Sequence, residues 1–515
     1  MNNLYERNNL SDDSPSPSEC RFILLLTAPS EMEHTAAALG DLASGEDGRE
    51  TATFRILLSS GETVCVRLFC EVEALVRAAA SQPVGAVVLD NRETDVPAAF
   101  SATVAGKAIS EILSRVTAAR RLTRDAVLTV TADNRHTPHH AYAVGSLQLG
   151  GVIVEPPSFE NLLETVCRFV RKPEPGKAAL CLAGGGIEGL FYELGVLRAL
   201  DSCLVNKSVV DFDIFSGISA GAILSACLAN EISPTELGAA LKGKPGRIDP
   251  VTRGMLFDPN LGEIAARLTR ALGDVLRGEW FKKPIDAALR ITPNALFSGD
   301  RLRLYLSRQF SKPGMTNDFQ LLKKKLFIGA TDQDTSTHVT FGEEGLNDMP
   351  ISHAVRASCA MTPYYPPEKI HGRFYIDGIF TRTVNLDTAV THGAKLIVCV
   401  DPLTPVSADE AGYVFGRGGF FNTVQSIKSM IRTRFSEVIG RAEEAYPNVS
   451  VIVFSPTPRD LEMMSGTMMR FFYKTETEQT AYESALERIE QEWAWMVEDF
   501  GRHGFEMRMP TFRGR

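Results

Sequence analysis

A glycine-rich turn between a short apolar run and a helical pattern constrains the fold of this chain more than any other feature. The turn lies in Ala179–Leu200, ALCLAGGGIEGLFYELGVLRAL. Gly184, Gly186 and Gly189 match G-x-G-x-x-G, the pattern that holds the pyrophosphate of a dinucleotide where a strand meets a helix. Gly184, Gly185 and Gly186 also form a row of unobstructed backbone amides, which could stabilise an oxyanion. The surrounding sequence must decide which ligand those amides face.

A second strand-to-helix turn contains a serine. Asp213–Ala229, DIFSGISAGAILSACLA, has the pattern G-x-S-x-G between a short strand and a helix of small residues. Gly217 and Gly221, two positions on either side of Ser219, permit a sharp turn that lifts the hydroxyl above the end of the sheet. Ser219 is therefore a candidate nucleophile.

The acidic residues before this turn bear on the dinucleotide interpretation. A dinucleotide site needs an acidic side chain at the end of the second strand, about 20 residues after the glycines. Asp211 and Asp213 lie near that distance, but at the start of the strand, whose far end carries Ser219. The dinucleotide interpretation stays an alternative, and the serine turn favours an oxyanion.

A third candidate segment is Arg373–Thr381, RFYIDGIFT. Asp377 follows a short aromatic and aliphatic strand and precedes Gly378, so its carboxylate is expected at a strand end beside a tight turn. Asp-Gly pairs also form common turns for purely local backbone reasons. The segment Ala354–Pro367, AVRASCAMTPYYPP, lies just upstream and favours a functional role for Asp377.

These blocks together resemble the patatin-like phospholipase family. The resemblance covers Lys177–Pro402, with GGGIEG, GISAG, ASCAMTPYYPP, Asp-Gly and LIVCVD in order. It implies an α/β three-layer hydrolase fold and a serine lipid acyl hydrolase of the phospholipase A type, which acts through an acyl-enzyme and needs no cofactor and no metal. By the resemblance, Ser219 is the nucleophile and Asp377 its base. The oxyanion hole is formed by Gly184, Gly185 and Gly186. The turns that support these residues contain Gly189, Gly217, Gly221 and Gly378.

Two residues depart from the family's pattern. Glu188 stands in the oxyanion loop where a basic or small residue is usual, which implies an altered charge near the phosphate of a substrate. Ile379 follows the Asp-Gly pair where glycine or alanine is usual, which implies a mild change of packing. Neither departure removes a reacting group.

The chemistry of Ser219 requires a nearby base, because a serine hydroxyl is a poor nucleophile at neutral pH. By the resemblance, Asp377 acts on Ser219 directly, and this dyad needs a partly buried carboxylate with a raised pKa. The alternative is an α/β-hydrolase esterase with a Ser-His-Asp triad, for which only His392 and His503 follow Asp377 in the required order. His392 lies at a helix end before a strand, which favours a C-terminal cap.

The first 170 residues alternate strands with helices, which predicts a doubly wound parallel sheet of the flavodoxin-like kind. The segments that carry this alternation are strands at Arg21–Ala28, Val84–Asp90, Ala126–Ala132 and Gly151–Val154, and helical patterns at Ala105–Ala119 and Ser158–Arg171.

Residues 21–173 also resemble the receiver domain of bacterial response regulators, which implies a bacterial source. Asp90 stands where the phospho-acceptor would be, and Thr131 lies near the switch hydroxyl. Thr27-Ala28 replaces the magnesium-binding acidic pair and Glu155 replaces a lysine, so little would hold Mg²⁺ and a phosphoryl group against Asp90. The resemblance implies a degenerate receiver that binds a regulatory protein or forms a homodimer; an unrelated flavodoxin-like domain is the alternative.

The length of 515 residues is too great for one core and predicts two or three domains. We expect a disordered leader over 1–20, the receiver-like domain over 21–173, the patatin-like core over 177–405 and a mainly helical extension over 406–515 that packs on the hydrolase. Arg171–Lys177, RKPEPGK, suits a linker.

Composition and charge exclude several classes of protein. A net charge of -9 argues against a nucleic-acid partner. The first 20 residues contain no apolar signal segment and no run of 18 apolar residues occurs, so we expect a cytoplasmic protein, either free or peripheral on the inner membrane face. The cysteines inside apolar runs are expected to be reduced core thiols: Cys65, Cys181, Cys203, Cys227 and Cys399.

The long segment 245–300, between Ser219 and Asp377, could cover the site. Leu261–Arg277 is amphipathic and precedes the aromatic and basic residues 280–283, WFKK. Such a helix could contact anionic lipid or could pack as a lid on the protein's own core. The sequence therefore predicts a lipid acyl hydrolase regulated by its N-terminal domain, and the alternative from another class is a non-catalytic sensor or scaffold.

Overall fold

The computed structural model describes residues 21–169 with interruptions, 175–276, 295–406, 411–464 except 447, and 474–511. The chain divides into two compact units, one of Met1–Lys172 with Ala494–Glu498 and the other of the remaining residues. The leader expected at 1–20 lies outside the described residues, and the domain boundaries given above stay a prediction. No helix in the described ranges is long and apolar enough to cross a membrane.

The first unit contains a seven-stranded sheet with the order β2-β3-β4-β1-β5-β6-β7. Its elements are β1 (Arg21–Leu26), α1 (Met32–Gly40), β2 (Ala43–Asp47), β3 (Thr53–Leu57), β4 (Thr63–Phe69), α2 (Val72–Ser81), β5 (Ala86–Asp90), α3 (Val104–Glu111), β6 (Val127–Thr131), β7 (Gly151–Val154) and α4 (Phe159–Phe169). Strands β4, β1, β5, β6 and β7 are parallel. Counted along the parallel strands alone, their order is 2-1-3-4-5, that of flavodoxin-like sheets.

Apolar side chains alternate between the two faces of this sheet. Ile23 and Leu25 of β1 pack in the core that includes residues of α1 and α4, whereas Leu24 and Leu26 pack in the core that includes residues of α2 and α3. Two covered faces explain why the strands are apolar throughout. The doubly wound sheet is confirmed, but the antiparallel strands β2 and β3 were not predicted, because β2 (ASGED) carries no apolar pattern.

The second unit contains an eight-stranded sheet with the order β12-β13-β10-β9-β8-β14-β15, in which β11 pairs with β10. Its strands are β8 (Lys177–Leu182), β9 (Ile214–Ile218), β10 (Lys325–Asp332), β11 (Thr337–Phe341), β12 (Glu368–Ile370), β13 (Arg373–Asp377), β14 (Ala394–Val400) and β15 (Ser450–Phe454). The five strands β10, β9, β8, β14 and β15 are parallel, and β11, β12 and β13 are antiparallel additions. This mixed α/β architecture agrees with the predicted fold class.

The helices that follow the central strands position the site described below. They are α5 (Gly186–Cys203), α6 (Ala220–Ala229), α7 (Pro234–Leu241), α8 (Arg253–Leu256), α9 (Leu261–Leu276), α10 (Asp300–Phe310), α11 (Ile351–Ser358) and α12 (Leu386–Thr391). The later helices are α13 (Gly418–Ala445), α14 (Pro458–Met463), α15 (Lys474–Gln491) and α16 (Trp493–Arg502). Strand β15 lies between α13 and α14 and pairs with β14, so residues beyond 405 contribute to the sheet itself.

The cysteines differ from expectation at one position. Cys65 of β4 is disulfide-bonded, so its assignment as a reduced thiol was wrong. Its apolar surroundings made it resemble the other core cysteines, because burial does not distinguish a thiol from a disulfide sulfur. The other four are buried free thiols, as expected: Cys181, Cys203, Cys227 and Cys399.

Candidate active site

The register of strand β10 brings Ser219 and Asp377 together. Strand β9 pairs with β10 as far as Gly329, and Ser219 follows its last residue. Strand β13 runs in the opposite direction and pairs with β10 from Asp332 to Ala330, where Asp377 is its last residue. Because the two strands end at neighbouring residues of β10, the serine and the aspartate meet.

The turn at Ser219 holds the backbone in a rarely populated conformation. Ser219 has φ 54° and ψ -118°, a strained combination for a residue with a side chain. The turn also brings backbone segments very close together, since a Cβ atom at Gly221 would lie 2.4 Å from the Leu182 carbonyl oxygen. The sharp serine turn that the G-x-S-x-G pattern predicts is therefore present, with glycine where any side chain would clash.

Ser358 and Cys359 fix the backbone of Ser219. The Ser219 amide donates to Ser358 Oγ at 2.8 Å, and Ser358 Oγ donates to the Gly329 carbonyl at 2.6 Å. Cys359 Sγ donates to the Ser219 carbonyl at 3.2 Å. Both residues belong to ASCAMTPYYPP, but their role could not be predicted, because nothing in the sequence shows that this helix end lies against the serine turn.

We expect Ser358→Ala to reduce kcat about tenfold with little change in KM, because an alanine leaves the Ser219 amide and the Gly329 carbonyl without their partner. Unpaired buried polar groups cost about 1–3 kcal/mol, so the unfolding temperature also falls. Steady-state kinetics and thermal denaturation measure the two effects. Ser225→Ala is the matched control, since its fully buried hydroxyl has no hydrogen-bond partner in the described structure. Equal effects of both substitutions would contradict a positioning role for Ser358.

The carboxyl group of Asp377 is buried and hydrogen-bonded. Its exposed fraction is 1%, and its Oδ1 atom accepts from the Ile379 amide at 3.0 Å. Burial raises the pKa of Asp377 to about 7, while the Ile379 amide and a hydrogen bond with the Ser219 side chain act in the opposite direction. A carboxylate with a pKa near neutrality can accept a proton from a serine hydroxyl far better than one in water.

The glycine loop lies directly beside the serine. Gly185 is the N-cap of α5, whose positive end favours negative charge. A Cβ atom at Gly184 would lie 3.1 Å from Ser219 Cβ and 2.9 Å from Ile379 Cδ1, so a side chain there would press on the nucleophile and on Ile379. The loop is placed where its amides could stabilise charge that develops on a carbonyl attacked by Ser219.

Glu188, which departs from the family's pattern, is buried beside the glycine loop. Its side chain is only 4% exposed and is not among those that line the cavity at Ser219. It interacts electrostatically with buried Lys428 of α13 and opposes the lowering of the Lys428 pKa by burial. Lys428 lies about 240 positions later in the chain, so the sequence alone did not reveal that Glu188 has a cation beside it.

A cavity with an empty volume of about 710 Å³, partly open to solvent, lies above these residues. Ser219, Asp377, Gly185 and Gly186 line it at one place. Most of the other lining residues are apolar, including Leu190, Ile223 and Ile431. A polar reacting centre in an apolar cavity suits a substrate with one ester group and a long hydrocarbon part.

The alternative site residues lie elsewhere. No histidine lines the cavity within the described part of the chain. His392 is the C-cap of α12, as expected, and His503 hydrogen-bonds with the Gly176 backbone. Asp211 closes a capping box with Ser208, and Asp213 accepts from the Ala178 amide at the start of β8. These contacts give no support to a triad or to a dinucleotide site.

The helix predicted at Leu261–Arg277 is present as α9. Leu261 is 68% exposed at its start, but the side chains of Ile264, Leu268 and Leu272 lie outside the description, as do residues 280–283. A lid and a membrane-contacting helix therefore both stay predictions for α9. No group of three or more His, Cys, Asp or Glu side chains among the described residues could hold a metal ion.

Comparison with known proteins finds similarity in the second unit. The family model for patatin-like phospholipase matches residues 180–390. Patatin-like phospholipase domain-containing protein 7 of Mus musculus is 25% identical over 236 residues, 45% of this chain and 14% of that protein. The protein of the same name from Rattus norvegicus is 25% identical over 225 residues, 43% of this chain and 13% of that protein. This chain therefore spans about one seventh of the length of these curated relatives.

The crystal structure of VipD from Legionella pneumophila also matches, over 62% of this chain and 67% of that chain. The sequence identity is 14% and the TM-score is 0.29, which is too low to establish a common fold.

Proposed function

Since residues 180–390 form a patatin-like phospholipase domain, we propose that this chain is a lipid acyl hydrolase that uses Ser219 and Asp377 as a catalytic dyad. The observation that carries the proposal is the meeting of Ser219 and the buried Asp377 carboxyl group at the neighbouring ends of β9 and β13, where both line one largely apolar cavity. A nucleophile and a base within hydrogen-bond reach are the minimum for acyl transfer through a covalent intermediate.

The proposed reaction has two stages. The Ser219 hydroxyl attacks the ester carbonyl carbon and its proton passes to Asp377, while the amides of Gly184, Gly185 and Gly186 stabilise the oxyanion. The tetrahedral intermediate collapses, the bond to the alcohol breaks, and Asp377 returns the proton to the departing alcohol oxygen. In the second stage Asp377 accepts a proton from water as the water oxygen attacks the acyl carbonyl carbon. The bond between the acyl carbon and Ser219 Oγ then breaks, Asp377 returns the proton to Oγ, and the fatty acid leaves.

The proposed substrate is a glycerolipid, cleaved as by a phospholipase A. The apolar lining of the cavity supports a hydrocarbon chain beside the ester, and the steps above need no metal and no other cofactor. We further propose that the protein meets its substrate as a peripheral membrane protein.

A lipid panel tests this proposal directly. The full-length chain is incubated with phospholipids, lysophospholipids, triacylglycerol and a soluble acyl ester, in excess chelator, and fatty acid release is measured. Release of fatty acid from at least one lipid, lost in Ser219→Ala, is expected. Turnover of the soluble ester alone would point to a non-lipid substrate, and no turnover of any ester would contradict an acyl hydrolase.

We also propose that the first unit regulates the hydrolase by binding a protein partner or a second copy of the chain. Asp90 ends β5, where Arg92 donates to its carboxylate from the backbone amide at 3.1 Å and from the guanidinium at 2.9 and 2.5 Å. The Asp90 carboxylate is therefore already paired with a cation of the chain itself. Glu155 and Ala28 lie outside the described residues, and Thr27 is buried at the end of β1.

We expect Asp90 to remain unphosphorylated when the full-length protein is incubated with acetyl phosphate and Mg²⁺, because Arg92 already neutralises its carboxylate. Intact-protein mass spectrometry and the rate of ester hydrolysis should both be unchanged. Asp90→Asn is the control for labelling at other sites. Magnesium-dependent labelling that disappears in Asp90→Asn would overturn the degenerate-receiver proposal.

A further inference from the structure

A second cavity lies next to the one that contains Ser219. It has an empty volume of about 570 Å³ and is lined almost entirely by apolar side chains from α6, α7 and α10. Four side chains line both cavities: Leu190, Ile223, Leu256 and Leu302. The two spaces are therefore neighbours with a common wall of flexible aliphatic groups, and only the first contains the reacting residues.

Two polar residues line the second cavity but not the first, and their polar groups are already hydrogen-bonded. The Tyr305 hydroxyl donates to the Asp249 carbonyl at 2.7 Å, and Gln309 Nε2 donates to Asp249 Oδ2 at 2.9 Å. Lys312 Nζ also donates to Asp249 Oδ1 at 2.9 Å. These bonds tie the polar atoms to Asp249, so the lining that remains available to a ligand is apolar.

An empty apolar cavity lowers stability, because its lining loses dispersion contacts. Cavities lined by leucine and isoleucine stay dry and bind apolar molecules. The second cavity shares four lining side chains with the cavity that contains the nucleophile. A hydrocarbon chain whose carbonyl lies at Ser219 would extend through the first cavity toward that wall.

We propose that the second cavity binds the distal part of a long acyl chain and so selects substrates by chain length. This rests on the proposed function, in which Ser219 attacks the ester of that chain. Short acyl groups end within the first cavity, whereas long ones displace the shared leucine and isoleucine side chains and fill the second. The network of Tyr305, Gln309 and Asp249 sets the upper limit of length.

The proposal predicts a steep dependence of kcat/KM on chain length. Burying one methylene group contributes up to about fourfold in affinity, so each carbon that enters the second cavity raises kcat/KM until the cavity is full. Beyond that length the extra carbons meet the polar network of Tyr305, Gln309 and Asp249, and kcat/KM falls.

The test uses p-nitrophenyl esters from butanoyl to dodecanoyl, with the full-length protein. Ala240 lines the second cavity but not the first and is 1% exposed, so Ala240→Leu fills part of the second cavity alone. We expect the ratio of kcat/KM for the dodecanoyl ester to that for the butanoyl ester to fall about tenfold or more. Ala239→Leu, on the same helix and not in the lining, is the matched control and should keep the wild-type ratio.

A second variant, Leu306→Ala, should favour longer esters, whereas Ala240→Leu disfavours them. Leu306 lines only the second cavity, so Leu306→Ala enlarges it and should move the best chain length to longer esters. Thermal denaturation shows which variants are folded. Ratios unchanged in both folded variants would overturn the inference even though the esters are hydrolysed. Failure of the wild type to hydrolyse any ester of the series in a Ser219-dependent manner would instead contradict the proposed function.

Discussion

Ser219→Ala is expected to lower kcat for ester hydrolysis by about 10⁴-fold or more, because it removes the atom that forms the acyl-enzyme. The loss of one oxygen changes little in the packing, and the Ser219 amide keeps its hydrogen bond to Ser358. The residual rate reflects the glycine loop and the cavity, which still bind the substrate and polarise its carbonyl. Burst kinetics and trapping of the acyl-enzyme by mass spectrometry measure the effect.

His392→Ala is the control for this substitution. His392 caps a helix and does not line the cavity, so its alanine variant should retain substantial activity once its folding is verified. A loss comparable to that of Ser219→Ala would favour the triad. Undiminished turnover by folded Ser219→Ala would place the nucleophile elsewhere and contradict the dyad.

The sequence was most informative where local chemistry decides the structure. The two strand-to-helix turns have strict backbone demands, so Gly184, Ser219 and Gly221 could be recognised from spacing alone. The parallel strands β8, β9 and β14 are buried almost throughout and therefore appear as apolar runs. Such positions are constrained by neighbours only a few residues away.

Contacts between distant segments could not be predicted from the sequence. Ser358 supports Ser219 across 139 positions, and Lys428 lies beside Glu188 only because α13 lies near the glycine loop. Strands β2 and β3 are held by hydrogen bonds to a neighbouring strand, which any backbone can make. Nothing in the sequence of one segment identifies the partner at the other end of such a contact.

Asp377→Asn is expected to abolish hydrolysis to a similar degree, because an amide cannot accept the serine proton. The shape is kept, since the asparagine carbonyl can still accept from the Ile379 amide. In the wild type, kcat/KM should fall about tenfold per pH unit below about pH 7, as Asp377 takes up a proton. The residual activity of the variant should lack this dependence, and pH profiles with a soluble ester measure both.

Asp377→Asn should abolish hydrolysis but raise stability at neutral pH, because burial of the Asp377 carboxylate destabilises the wild type. The pKa of Asp377 is about 7 in the folded state and 3.8 as the ordinary value, so between these values the folded protein holds a proton that the unfolded chain has lost. Wild-type stability therefore decreases as pH rises from about 4 to 7, by up to about 4 kcal/mol in total. Above pH 7 the carboxylate is charged and buried, and the penalty is constant.

Asparagine carries no charge at any of these pH values, so the variant avoids the penalty. Its unfolding temperature relative to the wild type should rise between pH 4 and pH 8 and then level off, as measured by thermal denaturation across that range. If the difference in unfolding temperature between the variant and the wild type did not change with pH, the pKa of Asp377 would be close to its ordinary value. Asp377 would then be too weak a base for direct proton transfer from Ser219, even though both residues line the same cavity.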